Sequence, residues 1–177
     1  RHAAAATKTW NGSVSNLWSN AANWTGGLPV TGDDLVFPAA APNRTMVDNL
    51  GAGLSLHNVT TNDAYRVTAA TTESLTFAGS GTISNSSNGV IISLPVTLAA
   101  TTNTSTGGVF SGVIFTSQIT GAGGFADNQG TLELDGPGTF SGGVALSGPG
   151  SAALVCQNAT CPGTGTSPIG NVAFLNP

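Results

Sequence analysis

Charge is the scarcest feature of this 177-residue sequence: only 7% of its residues are Asp, Glu, Lys or Arg, where soluble domains carry about a quarter. Four basic residues, Arg1, Lys8, Arg44 and Arg66, stand against eight acidic ones, for a net charge of −4. Without clustered Lys or Arg, nucleic acid and anionic membrane surfaces are excluded as expected partners. Long apolar runs are missing too. The nearest, Val90 to Val96, is broken by Ser93 and Pro95, far short of the ~20 residues of a membrane helix, so no membrane insertion by this chain is expected. Helical periodicity is nearly absent, because glycine or a β-branched residue interrupts every candidate window. The start, Arg1-His2 followed by Ala3 to Ala6, has no apolar signal core and reads as a processed end.

Reactive side chains are equally sparse. The two histidines, His2 and His57, lie far apart, and neither a His-Glu-x-x-His motif nor a Gly-x-Ser-x-Gly elbow is present. No cofactor or metal is expected. The two cysteines, Cys156 and Cys161, enclose Gln157 to Thr160. Two thiols and two distant imidazoles are too few for a zinc site, which leaves a small disulfide suited to an oxidising compartment, or free thiols.

What the sequence has in abundance is glycine, 25 residues, and short segments that alternate apolar residues with Ser and Thr. Strands are predicted at 34–37, 54–59, 65–68, 74–77, 90–93, 95–98, 109–115, 118–119, 131–134, 144–146, 153–155 and 172–175, about ten residues apart. An all-β fold follows. Its two candidate forms are a parallel β-helix (β-solenoid) and a β-sandwich. The solenoid is preferred because the second half carries imperfect repeats: Leu-Thr-Phe-Ala-Gly-Ser-Gly-Thr-Ile (75–83), Gln-Ile-Thr-Gly-Ala-Gly-Gly-Phe (118–125) and Leu-Glu-Leu-Asp-Gly-Pro-Gly-Thr-Phe-Ser-Gly-Gly-Val (132–144). Stacked coils need small residues of this kind at their corners. The chain divides into a Trp-rich capping module, 1–38, continuous with solenoid repeats over 39–177.

The N-terminal series Thr9-Trp10-Asn11-Gly12, Asn16-Leu17-Trp18-Ser19, Ala22-Asn23-Trp24-Thr25-Gly26-Gly27-Leu28-Pro29 and Gly32-Asp33-Asp34-Leu35-Val36-Phe37 resembles the opening module of bacterial autotransporter-type passenger domains, roughly TWxG…xWSxxxNWxxGxxPxxGDxVxF. Residues 130–146 are similar to the autotransporter-associated repeat, with Gly138-Thr139-Phe140 in place of its Asn-Thr-Tyr core. The resemblance implies a right-handed parallel β-helix exported to the cell exterior, in a family whose roles cover adhesion, aggregation and display. Chemistry does not follow from such a fold.

Several residues invite a functional reading, each beside a plainer one. Trp10, Trp18 and Trp24 are read as a plug over the open end of the solenoid, or as a row of indoles stacking on sugars. Asp33 and Asp34 read as a turn cap. Glu133 and Asp135, two apart on one strand, share a face but do not flank a substrate as glycosidase carboxylates do. Sequons begin at Asn11, Asn23, Asn43, Asn58, Asn85, Asn103 and Asn158, acceptors for N-glycans if the source attaches them and polar turns otherwise. The strand Val172-Ala173-Phe174-Leu175 is a candidate for addition to the edge of a second copy.

Together these features point to a non-enzymatic, extracellular structural protein, part of a surface filament, layer or adhesin stalk, with itself or cell-surface glycans as partner. A carbohydrate-binding adhesin is the alternative. A polysaccharide-degrading β-helix enzyme is a third reading, which requires Asp48, Asp63, Glu73, Asp127, Glu133 and Asp135 to supply an acid cluster in one groove.

Overall fold

The computed structural model describes residues 5–107, 112–146 and 152–157. Strands β1 (Thr7–Trp10) and β2 (Trp24–Thr25) precede the coils. Three strands make the first turn, β3 (Asp34–Phe37), β4 (Thr45–Asp48) and β5 (Ala52–Leu56), and three the second, β6 (Val59–Thr61), β7 (Tyr65–Ala69) and β8 (Ser74–Phe77). The third holds β9 (Thr82–Asn85), β10 (Val90–Ser93) and β11 (Val96–Leu98), and the fourth β12 (Thr102–Thr106), β13 (Gly112–Phe115) and β14 (Ile119–Thr120). The long β15 (Phe125–Leu134) then runs round a corner without a break, and β16 (Val144–Leu146) and β17 (Ala152–Cys156) follow.

Each strand pairs with its counterpart one turn on, giving three walls. The first contains β3, β6, β9, β12, the front of β15 and β16; the second β4, β7, β10, β13, the rear of β15 and β17; the third β5, β8, β11 and β14. Among the described residues every strand pairing is parallel except β1 with β2. The chain is a β-solenoid of about five turns, and the sandwich alternative falls, because sandwich sheets are built from antiparallel neighbours.

Alternation explains the strands and stacking explains the core. In β8 Leu75 and Phe77 turn inward while Ser74 and Thr76 face out. Along the solenoid the inward positions line up coil on coil: Met46, Val67, Ile92, Phe115 and Leu134 in the second wall, and Leu54, Leu75, Val96 and Ile119 in the third. A side chain so enclosed contributes about 1.5–3 kcal/mol, and only its neighbours above and below complete its burial.

The first wall departs from this pattern. Its inward positions become polar midway, with Thr61, Asn85, Thr102, Thr104, Thr106 and Asp127 all buried. They bond along the axis: Asn85 Nδ2 donates to Thr61 Oγ1, 24 residues back, and Thr104 Oγ1 donates to Asp127 Oδ1, 23 residues on, at 2.8 Å. Those separations are one coil each, and the strand registers put the coils at 19 to 25 residues. Strands predicted about ten residues apart are therefore successive sides of one coil, and the repeat itself is longer.

Several glycines of the imperfect repeats stand where one coil rests on the next. A methyl group added at Gly81 would sit on the His57 carbonyl oxygen, and one at Gly136 on that of Ser117. Since the obstacle is backbone, the coils must separate. Gly136→Ala is expected to cost about 1–3 kcal/mol in urea unfolding, whereas alanine at Gly51, where a Cβ meets nothing, would register only the strain of its positive φ.

Candidate functional site

A solenoid's first coil leaves backbone donors and acceptors unpaired on every wall, and strands left so invite pairing with other chains. Residues 5–33 occupy all three. On the first wall β1 pairs in parallel with β3, and β2 turns back antiparallel on β1. On the second, Trp18 N–H donates to the Val47 carbonyl (3.0 Å) and Val47 N–H to that of Asn16 (2.9 Å). On the third, Gly32 N–H donates to the Ser55 carbonyl (2.8 Å) and His57 N–H to that of Asp33 (3.1 Å).

Beneath these contacts lie the three tryptophans. Trp10, Trp18 and Trp24 are 0%, 1% and 5% exposed. Trp24 meets Trp10 edge-on at 5.0 Å between centroids and Trp18 at 5.6 Å, while Trp18 stacks on Phe37 at 6.1 Å. Two indole N–H groups find carbonyls, Trp10 on Asn43 (2.7 Å) and Trp24 on Trp18 (2.9 Å). Indoles enclosed in this way present no face to a sugar ring, so the sugar-stacking reading of these residues is corrected. They plug the end of the solenoid, and the module is continuous with the coils through one hydrophobic core.

Asparagine and aspartate side chains stitch the plug. Asn23, fully buried, accepts the N–H groups of Val14 and Ser15 and donates to Ser15 Oγ (2.9 Å) and the Leu17 carbonyl (3.0 Å). Asp33 accepts from Ala6 and Val30 and lies 3.7 Å from Lys8 Nζ. Asp34 Oδ1 accepts both amide donors of Asn58. The turn-cap reading of this acidic pair accounts for the Val30 contact; those with Ala6 and Asn58 join segments 24 to 27 residues apart.

The sequons divide by burial. Nδ2, the atom a glycan would be attached to, donates within the chain at Asn11, Asn23, Asn43, Asn58, Asn85 and Asn103. Asn11, Asn43, Asn58 and Asn103 are half-buried. Asn23 and Asn85 are 0% and 2% exposed, and each Nδ2 donates twice. A sugar on either is incompatible with this fold, and the expectation of N-glycans there is corrected. Asn158, Cys161 and the strand 172–175 lie outside the described residues; Cys156 is half-buried at the end of β17.

The acids do not converge on one groove. Asp48 and Asp127 point into the core, fully buried. Burial pushes both carboxyls up to about 6, and Asp48 is raised further by the neighbouring Glu73. Each has one oxygen satisfied, Asp48 by Leu50 N–H and Asp127 by Thr104, and the other without a partner. Asp63 pairs with Arg44, and Glu73 accepts the Thr71 N–H at 2.6 Å. Glu133 and Asp135 are both half-buried on one face, as their spacing predicts; burial and then the charge of Glu133 raise the Asp135 carboxyl. Two carboxyls on the same face of one strand do not flank a scissile bond from opposite sides. Among the described residues no three His, Cys, Asp or Glu side chains come together as metal ligands.

No family model, curated protein or solved structure matches this chain. The resemblance to autotransporter passengers therefore rests on the motifs alone, while the solenoid that it implies is present.

Proposed function

We propose that this chain is a non-enzymatic structural element of the cell exterior, a β-solenoid stalk closed at its N-terminal end. One observation carries the reading: residues 5–33 cover the first coil on all three walls and seal it with three buried indoles. Sequence invested in sealing the first coil suits an element whose strands are not continued by pairing beyond it. The charge-poor surface supports the same reading, because it leaves little electrostatic repulsion between closely packed neighbours.

Sealing also bears on self-association. A head-to-tail filament built by strand addition needs two receptive ends, and here the N-terminal one is taken. Association of the chain with itself by strand addition could then not propagate head to tail. Sedimentation velocity over a hundredfold concentration range, with electron microscopy of the same samples, tests this. Short rods, single or paired, are expected; filaments that lengthen with concentration would refute it.

A further inference from the structure

Along one corner of the solenoid, between the first and second walls, lies a shallow cleft of about 180 Å³ lined by Arg44, Thr45, Arg66, Asn88, Gly89 and Ile91. Two of the chain's four basic residues thus face one place on an otherwise charge-poor surface. The two guanidinium groups differ in what holds them. Arg44 is occupied: Nε and Nη2 donate to the carbonyls of Ala41 and Ala39, and Nη1 pairs with Asp63. Arg66 is exposed and, alone among the described Lys and Arg side chains, has no carboxylate partner. It is nevertheless held in place, because Nη1 donates to Ser93 Oγ at 3.2 Å. Ser93 Oγ also accepts from Thr116 at 2.9 Å, so its own hydrogen remains to be donated.

Across the cleft stands Asn88, the one described non-glycine residue in the left-handed region, with φ 63. That conformation, which Asn tolerates better than most residues, lets its Nδ2 reach Asp63 Oδ1 at 3.0 Å in the preceding coil. Its Oδ1 has no hydrogen bond within the described residues and is left as an acceptor. The cleft thus offers an unneutralised guanidinium fork beside a hydroxyl donor, a fixed amide acceptor, and the aliphatic Ile91 next to Arg66 in the neighbouring strand.

We propose that this corner binds one anionic residue of a saccharide chain, a uronate or a sulfate ester. A planar, weakly hydrated guanidinium suits such an oxyanion. The anion takes the free N–H groups of Arg66, a ring hydroxyl donates to Asn88 Oδ1, and the C–H face rests on Ile91. The cleft is smaller than the roughly 300 Å³ at which pockets enclose whole ligands, which suits a single unit of a polymer lying across the surface.

The test is an NMR titration of the full chain with three probes: a hexamer of galacturonate, a κ-carrageenan hexasaccharide, which carries sulfate esters and no uronate, and neutral maltohexaose. The proposal expects saturable shifts of the Arg66, Asn88 and Ile91 amides with one or both acidic probes; which of them binds tells uronate from sulfate. Arg66→Gln should weaken that binding at least tenfold with the thermal melt unchanged, whereas Lys8→Gln at the N-terminal end should leave it intact. Equal response to maltohexaose, unchanged affinity in Arg66→Gln, or no saturable shift with either acidic probe at ten millimolar would overturn it.

Discussion

Replacing Trp24 with alanine is expected to remove about 3–5 kcal/mol of stability and to make the protein associate. Trp24 is the hub of the plug, within 6 Å of the rings of Trp10, Trp18 and Phe37, and its indole N–H holds the Trp18 carbonyl. Truncation leaves a cavity that these rings cannot fill without breaking the strand contacts above them. It also frees that carbonyl, at the residue whose N–H is bonded to β4. The walls of the first coil then lose their cover, and bare parallel edges pair with other copies. Two measurements check this: the urea midpoint at low protein concentration, and light scattering as concentration rises. Trp24→Phe, which keeps most of the ring contacts but not the hydrogen bond, should recover more than half of the lost stability. A cost under about 1 kcal/mol for the alanine variant would mean that the plug is dispensable.

Acidification from pH 7.5 to 4.5 is expected to stabilise the protein, the reverse of ordinary acid denaturation. Asp48 and Asp127 titrate near 6 when folded against 3.8 for the free side chain. The folded state therefore holds protons that the unfolded chain releases, and stability falls as pH rises from below 3.8 through about 6. Each carboxyl contributes on the order of 2 kcal/mol over this interval, and Asp135, also raised, acts in the same direction. Asp63 and Glu73 act oppositely. Hydrogen bonds from Ala64 and Thr71 lower their carboxyls, so their contribution is present above the free value and is lost as pH falls through the folded one. Stability should peak near the lower end of the interval and decline in stronger acid. Asp127→Asn keeps an acceptor for Thr104 and carries no charge, so it should raise the melting temperature at pH 7.5 and flatten the profile. An unchanged slope in both Asp127→Asn and Asp48→Asn would show that neither carboxyl is the source.

Where apolar and polar residues alternate cleanly, the fold was legible from the sequence. Strands β3, β8, β10 and β16 fall on their predicted residues. The predicted strand 54–59 is in fact the end of β5, a corner at His57 and Asn58, and the start of β6. Strand β12 was unreadable because its inward positions are Thr102, Thr104 and Thr106 and its outward ones Asn103 and Ser105, so burial leaves no mark on the pattern. The same holds for the front of β15, where Asp127 faces inward. Strand β4 has only Met46 as a large inward side chain. As for the sites, three tryptophans within 15 residues suggested a plug or a sugar-stacking row, and all three are buried. The Arg66 cleft could not be read, since it depends on residues from three successive coils meeting at one corner.

The plug at one end gives the molecule a mechanical direction. Each coil rests only on its neighbours, and the N-terminal coil is held by residues that reach across all three walls, so among the described coils it would be the last to yield to a pulling force. Coils would then peel off singly. Each would release 19 to 25 residues, roughly 65–85 Å of slack, while those nearer the plug kept their shape. A solenoid built in this way would yield to tension in similar steps, lengthening under load while its N-terminal coil stayed folded.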